Sequence, residues 1–443
     1  MVAVSNRSEA AFRRPDTLQG ENPTMQKSRM GRLTAAALGL TLVAAACGSD
    51  EKEADTTTAP STAETTAVST GETTAVSTGE TTAETTAAGG STATPPGVTC
   101  DGISLAFLGA LSGDNGALGT NMINGASIAI DEFNAANPDC QVAFDTQYDS
   151  QGDPAQATPL ADTIANDDSI VGLIGPGFSG ETRATMPIFQ EFNLPMITPG
   201  ATNATLSQEG WTMFHRILAN DDLQAPGVVA LISDTVGGTK VGVIDDASDY
   251  GAGLATAVKS GLGDLLVAEA TIDPAAADYS AAITAMEDAG VDTVFYSGYY
   301  AEAAKLVSQM RDAGIEATFV SGDGSLDIGF VDNAGAASDG AYLTATGAPP
   351  DVNPEFAAKF NEKFGTNPAL YSPEAYDAAG VFLAGIAAGN VTREDLATFI
   401  DGYDAPGITK DIKFDETGEP EGSAVFYTIV EDGALVSKGL IPA

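Results

Sequence analysis

The run IVGLIGPGFSGETRATMPIFQEFNLPMITPGATNATL, residues 170–206, decides the fold. Ile170–Ile174 is short and almost wholly apolar, the pattern of a parallel strand covered on both faces. Residues 175–180 then turn the chain into a helix, and a second strand, 195–198, ends in Pro199, Gly200, Ala201 and Thr202. A strand–helix–strand unit brings both loops to the carboxyl ends of parallel strands, where open α/β sheets bind ligands. The glycines of the first loop let backbone approach a ligand, and the next helix presents free N–H groups and its positive dipole end. With the hydroxyls of Ser179 and Thr202, this predicts a cradle for a small anion such as a carboxylate.

Two sharper readings of the first loop fail. Gly175-Pro-Gly177-Phe-Ser-Gly180 fits the dinucleotide pattern G-x-G-x-x-G, but the next strand ends Thr198-Pro199-Gly200, with no acidic residue to hold a ribose. The hydrolase elbow G-x-S-x-G fails at Glu181, where its second glycine belongs. A purely structural tight turn stays open. The single histidine, His215, leaves no nucleophile, base and orienter to assemble, so the chain is not expected to be an enzyme, and no cofactor is implied. Trp211, His215 and Arg216 read as support for a nearby hinge.

Outward from this unit, strand-like runs alternate with amphipathic helices. The runs are 103–108, 142–148, 240–244, 265–272, 291–296 and 318–320, and the first helix carries Met122, Ala126, Ile130 and Phe133 on one face. The alternation predicts an α/β fold with parallel sheets between helices. Residues 98–443 number 346, more than one core holds, so two Rossmann-like lobes are expected. Passages between them fall at 218–222 (with Pro226 and Gly227 beyond), at 344–353 and near 414–422, a three-segment hinge. Lobe 1 is then 98–220 with 346–421, and lobe 2 is 221–345 with 422–443.

Before the globular part, residues 1–24 show no apolar periodicity, and Met25 opens a conventional export signal. Lys27, Arg29 and Arg32 form its positive region, and 33–46 (LTAAALGLTLVAAA) is apolar but too short to span a bilayer. Cys47, after three alanines and before Gly-Ser-Asp, resembles the lipidated cysteine of bacterial lipoproteins, although Ala44 stands where such signals usually carry leucine. An ordinary secretory signal with an incidental cysteine is the alternative. Residues 1–46 are thus read as leader, and 47–97 as a Thr/Ala/Glu-rich disordered tether in which TTAVSTGE occurs twice. Such a coil reaches roughly 40 Å.

The chain carries 19 basic and 61 acidic residues; removing 1–46 leaves 13 against 58, a formal −45. This surface repels nucleic acid and anionic lipid, so membrane association would come from the lipid at Cys47. Cys100 and Cys140 remain as an even pair in an exported protein, each just before an expected strand. If those strands are parallel neighbours, both cysteines sit at one sheet edge, and a disulfide closing 40 residues is worth about 4 kcal/mol. No Cys/His cluster suggests a metal site.

Seven segments in order carry a resemblance that spans about 103–422. They are Leu111-Ser-Gly113, Tyr148-Asp-Ser-Gln-Gly-Asp-Pro154 with Ala155-Gln-Ala157, Gly175-Pro-Gly-Phe-Ser179, Pro195-Met-Ile-Thr-Pro-Gly-Ala-Thr202, Asp249-Tyr250-Gly251, Gly298-Tyr299-Tyr300 and Tyr376-Asp377-Ala378. Together they resemble the leucine/isoleucine/valine-binding proteins of bacterial ABC importers, with the type I periplasmic-binding-protein fold. The resemblance implies that Ser179 and Thr202 hold a ligand α-carboxylate, and that the Gly200 carbonyl and Asp323 hold its ammonium. Tyr250 and Tyr299 would cover the ligand as the cleft closes. Leu118 stands where an aromatic can flank the side-chain pocket, Gly177 and Phe178 line it, and Asp323 replaces the usual glutamate.

The expected function is capture of an amino acid, branched-chain or similarly aliphatic, by a monomeric lipid-anchored protein outside the cytoplasm. Delivery would be to a membrane permease driven by a separate ATPase, since no G-x-x-x-x-G-K-[ST] loop occurs here. An amide, urea or small carboxylate ligand, or a sensor role for the same fold, are the alternatives. The chain ending at Ala443 without a membrane or signalling segment favours import.

Overall fold

A computed structural model describes residues 100–441 of the chain. The leader expected over 1–46, the lipidation site Cys47 and the tether of 47–97 lie outside them.

The first half opens with β1 (Ser104–Gly109), α1 (Gly116–Ala136), β2 (Ala143–Asp149), α2 (Pro154–Ala165), β3 (Ile170–Ile174), α3 (Ser179–Glu191), β4 (Met196–Thr198) and β5 (Phe214–Arg216). Its sheet has the order β2-β1-β3-β4-β5, parallel throughout. Every residue of β1 and β3 is buried, which is why these two strands read as unbroken apolar runs. The second half continues with α4 (Asp221–Ala230), β6 (Val241–Asp245), α5 (Asp249–Leu262), β7 (Leu266–Thr271), α6 (Ser280–Ala289), β8 (Thr293–Ser297), α7 (Tyr300–Asp312), β9 (Thr318–Ser321), α8 (Ile328–Ala334) and β10 (Tyr342–Ala345).

The chain then returns to the first sheet. There α9 (Pro354–Phe364), α10 (Ser372–Ala387) and α11 (Arg393–Asp401) cover it, with α10 against α1 and α11 against β3. A two-stranded ribbon, β11 (Asp404–Pro406) with β12 (Asp411–Lys413), precedes the last crossing. The closing hairpin, β13 (Phe426–Glu431) and β14 (Ala434–Leu440), completes a second sheet of order β14-β13-β10-β9-β8-β6-β7.

The three crossings lie side by side: the Ala219 N–H donates to the Thr346 carbonyl at 3.2 Å, and the Arg216 N–H to that of Gly418 at 2.9 Å. Buried Glu374 accepts from the Ala348 N–H at 2.7 Å, and Lys410 donates to the Ser423 hydroxyl at 2.8 Å, fastening the second and third crossings. Three segments that must bend together restrict motion to a hinge.

Two features depart from the sequence reading. Pro226 and Gly227 lie inside α4, not in a crossing, because Ala225 and Val228 pack into the α5 core beside Leu254 and Val258. Burial there outweighs the backbone hydrogen bond that a mid-helix proline forgoes. Strands β5, β10, β13 and β14 were not foreseen; the last two are half-exposed and pair antiparallel, so they lack the long apolar signature of the central strands.

Cys100 and Cys140 form a disulfide with Cα atoms 4.7 Å apart, just below the point where Ser104 of β1 pairs with Ala143 of β2. Replacing both by serine is expected to lower the unfolding free energy in urea by about 2–5 kcal/mol. An unchanged midpoint would show that the bridge contributes nothing.

Candidate functional site

Thr198, the last residue of β4, knits the two loops of the opening unit together. Its hydroxyl donates to the Pro176 carbonyl at 2.7 Å and accepts from the Ala201 N–H at 2.9 Å. Ser179 begins α3 and accepts the Asn203 N–H at 3.1 Å. Gly200 has no room for a side chain: a Cβ there would lie 2.4 Å from the Met122 methyl and 2.7 Å from the Gly177 carbonyl. The structure thus brings Ser179, Gly200 and Thr202 to one place. The Thr202 hydroxyl is buried beside the Asp221 carboxyl.

One end of the expected cradle is already taken. Glu181, in the first turn of α3, accepts the Phe178 N–H at 3.0 Å and the Ser150 hydroxyl. Its carboxylate therefore uses part of the positive helix end that the sequence reading offered to a ligand. Burial pushes this carboxyl up to about 7, against the lowering effect of those two hydrogen bonds.

Across the cleft, Tyr250 stands in the first turn of α5, Tyr299 caps α7, and Asp323 follows β9. Tyr299 stacks on Phe178 of the first half with ring centres 4.5 Å apart and tilts against Tyr250 at 5.3 Å. Asp323 is wholly buried and held by four donors. Gln224 Nε2 (2.9 Å) and the Tyr250 hydroxyl (2.8 Å) reach Oδ1; the hydroxyls of Tyr371 (2.5 Å) and Thr346 (3.3 Å) reach Oδ2. Burial holds the Tyr250 and Tyr371 phenols well above their usual range, so both stay protonated donors. Leu118 is buried on α1, one turn before Met122, in the cluster that also holds Phe178 and Tyr371.

Asp221 is the residue that sequence reasoning missed. It opens α4 just past the first crossing, its N–H donates to the Thr202 carbonyl at 2.9 Å, and its carboxylate is buried with only the Thr202 hydroxyl alongside as a donor. Burial and then the charge of Asp323 push its carboxyl well above the usual range; the Thr202 hydroxyl and then Arg216 oppose them. The Asp221 carboxyl so placed calls for a cation or a proton. The signal in the sequence was slight: Asn220-Asp221-Asp222 reads as an ordinary helix start, and Asn220 does cap α4.

Arg216, fully buried, supports this loop from below. Its Nη1 donates to the carbonyls of Ala201 (2.8 Å) and Asn203 (3.0 Å), on either side of Thr202, and its other edge pairs with Glu419 near the third crossing. Trp211 only packs at the margin of the first core, and His215 bonds Asp401 at 3.1 Å.

Of the buried carboxyls raised by burial, Glu181 and Glu374 are pushed up to about 7 and Asp246 and Asp377 to about 6. A folded-state value above the unfolded one means the native state holds extra protons between about pH 4.5 and 7. Stability from these groups is therefore full below that window and lost as pH rises through it. The melting temperature is expected to rise on going from pH 8 to pH 5, less steeply in Glu181→Gln; a melting temperature falling over that range would contradict these assignments.

Residues 102–434 match the periplasmic binding protein family. The leucine-specific-binding protein of Salmonella typhimurium is 31% identical over 256 residues, 57% of this chain and 69% of that protein. A leucine-, isoleucine-, valine-, threonine- and alanine-binding protein of Pseudomonas aeruginosa is 28% identical over 329 residues, 73% of this chain and 88% of that one. Among solved structures, the branched-chain amino acid transporter substrate binding protein LivJ of Streptococcus pneumoniae, in complex with isoleucine, superposes with a TM-score of 0.71. Its identity is 25%, over 77% of this chain and 99% of that one.

Proposed function

On the premise that the chain belongs to the periplasmic binding protein family, we propose that it captures an α-amino acid with an aliphatic side chain between its two halves and delivers it to an ABC importer. The observation that carries this reading is the pair of buried carboxylates, Asp221 and Asp323, beside the Thr202 hydroxyl. An ammonium among these groups neutralises the pair, and a carboxylate two bonds away falls to Ser179 and Thr202. The Gly200 carbonyl adds an acceptor for the ammonium. Asp323 comes with four donors already in place, so Asp221, with only the Thr202 hydroxyl beside it, takes the larger share of the charge. Leu118, Phe178, Tyr250 and Tyr299 then enclose an apolar side chain.

The two lobes, 98–220 with 346–421 and 221–345 with 422–443, close about the three crossings. Binding favours the closed form only by its differential affinity for that form. Proteins of this family act outside the cytoplasm, and among the described residues no helix is long and apolar enough to cross a membrane. The lipoprotein-like signal supports a finer reading, in which a monomer is held at the outer face of the membrane by lipid on Cys47 and swings on the 47–97 tether. A carboxylate or amide ligand without an ammonium leaves the buried Asp221 and Asp323 carboxylates with no cation, which disfavours it.

Calorimetric titration of ligand-stripped protein with leucine, isoleucine and valine tests the proposal. Binding to at least one is expected, weakened by about 3 kcal/mol or more in Asp221→Asn and by about 1–2 kcal/mol in Ser179→Ala. Failure of all three to bind, or full affinity in Asp221→Asn, would overturn the assignment.

A further inference from the structure

Away from the ligand groups, the two halves meet at a second cluster centred on Asp249, the first residue of α5. Arg183 of α3 donates through Nε to Asp249 Oδ1 at 2.8 Å, while its Nη atoms hold Glu209 at 2.7 Å and Thr205 at 2.5 Å. Asn203, adjacent to Thr202, donates through Nδ2 to the Asp249 carbonyl at 2.6 Å. The same asparagine gives its N–H to Ser179 and accepts from the Thr205 N–H and hydroxyl through Oδ1. Gly253 makes room for it, since a Cβ there would stand 2.6 Å from Asn203 Nδ2.

Asp249 is thus held twice, at its carboxylate by the helix that begins with Ser179 and at its carbonyl by the residue that follows Thr202. Elsewhere across the cleft, the Tyr371 hydroxyl donates to Asp323 at 2.5 Å, Asn115 donates to Glu302 at 3.3 Å and accepts from the Ala301 N–H at 3.3 Å, and Asn121 donates to Asp327 at 3.2 Å. Arg183 and Asp249 are each about one-third exposed, so the ion pair alone is weak; the geometry gains force from the Asn203 bond formed in the same motion.

We propose that Arg183, Asn203 and Asp249 form a closure latch that couples the state of the Ser179–Thr202 cradle to the position of the second half. The latch touches no ligand. It rests on the reading of the cleft given above and sets how long a captured ligand stays, by stabilising the closed form over the open one. Interactions made only after closure slow dissociation and leave the encounter rate nearly unchanged.

The test uses the full chain carrying Cys47→Ser, with spin labels on introduced Thr163→Cys and Thr256→Cys, one exposed site in each half. Lobe separation is measured with and without leucine, and leucine association and dissociation by stopped flow. Arg183→Ala and Gly253→Ala are expected to speed dissociation about tenfold with association within about twofold, and to shift the separation outward. Gly253→Ala raises intrinsic helix propensity, so loss of folding cannot account for its effect. The swap Arg183→Asp with Asp249→Arg should recover most of the closed population, and Glu209→Gln, which leaves the Asp249 contacts intact, should change neither readout. Dissociation rates and separations in Arg183→Ala and Gly253→Ala equal to the parent's would overturn the latch. Should leucine and other amino acids fail to bind the parent, the amino-acid reading falls. The ligand-free separations then decide the latch: a more open Arg183→Ala and Gly253→Ala support it, and equal separations overturn it.

Discussion

The structure turns on two buried carboxylates, Asp221 and Asp323, close enough that the charge of the second raises the first. Asp221 and Asp323 come from different elements, one just past the first crossing and one at the end of β9, and the hinge geometry sets them together. Bringing like charges out of water is among the more costly acts available to a protein. On the proposed reading, an ammonium completes the site, the loops that hold Ser179 and Thr202 take the other end of a zwitterion, and the ligand becomes part of the closed form's electrostatics.

Around that pair the protein spends few cations, and they serve as scaffolding. Arg216 braces the carbonyls beside Thr202 and links them to the third crossing through Glu419. Arg183 works on the outer side of the same loop, where Asn203 meets α5. In a chain with 61 acidic and 19 basic residues, two of its arginines thus border one five-residue loop, 199–203. The loop's shape is therefore over-determined: Thr198 ties it to the neighbouring loop, Arg216 to the hinge and Asn203 to the opposite half.

Much of the fold was legible because its signals are local. The apolar strands β1, β3, β6 and β8 and the loops after β3 and β4 could be read from short runs, and the cysteine pair from its placement before two neighbouring strands. The closing hairpin could not, since its alternation is broken by partial exposure and its partner, β10, lies about 80 residues earlier. Asp221 was hidden for a different reason. Its sequence context is a capped helix start, and only the hinge brings it beside Thr202 and opposite Asp323. Tyr371 was likewise obscured: it stands with φ +70° in the break between α9 and α10, and that turn aims its hydroxyl at Asp323. Residues whose role depends on contact between distant segments leave the weakest trace in a single sequence.

The most direct measurement of the central claim compares leucine with 4-methylpentanoate on the unaltered protein by calorimetry. The two share a carbon skeleton and a carboxylate and differ in the ammonium. If the Asp221–Asp323 pair is what the ligand satisfies, leucine binds and the deaminated acid is weaker by about a thousandfold or more. Affinities within tenfold of one another would contradict the account, because the carboxylate pair would then play no part in holding the ligand.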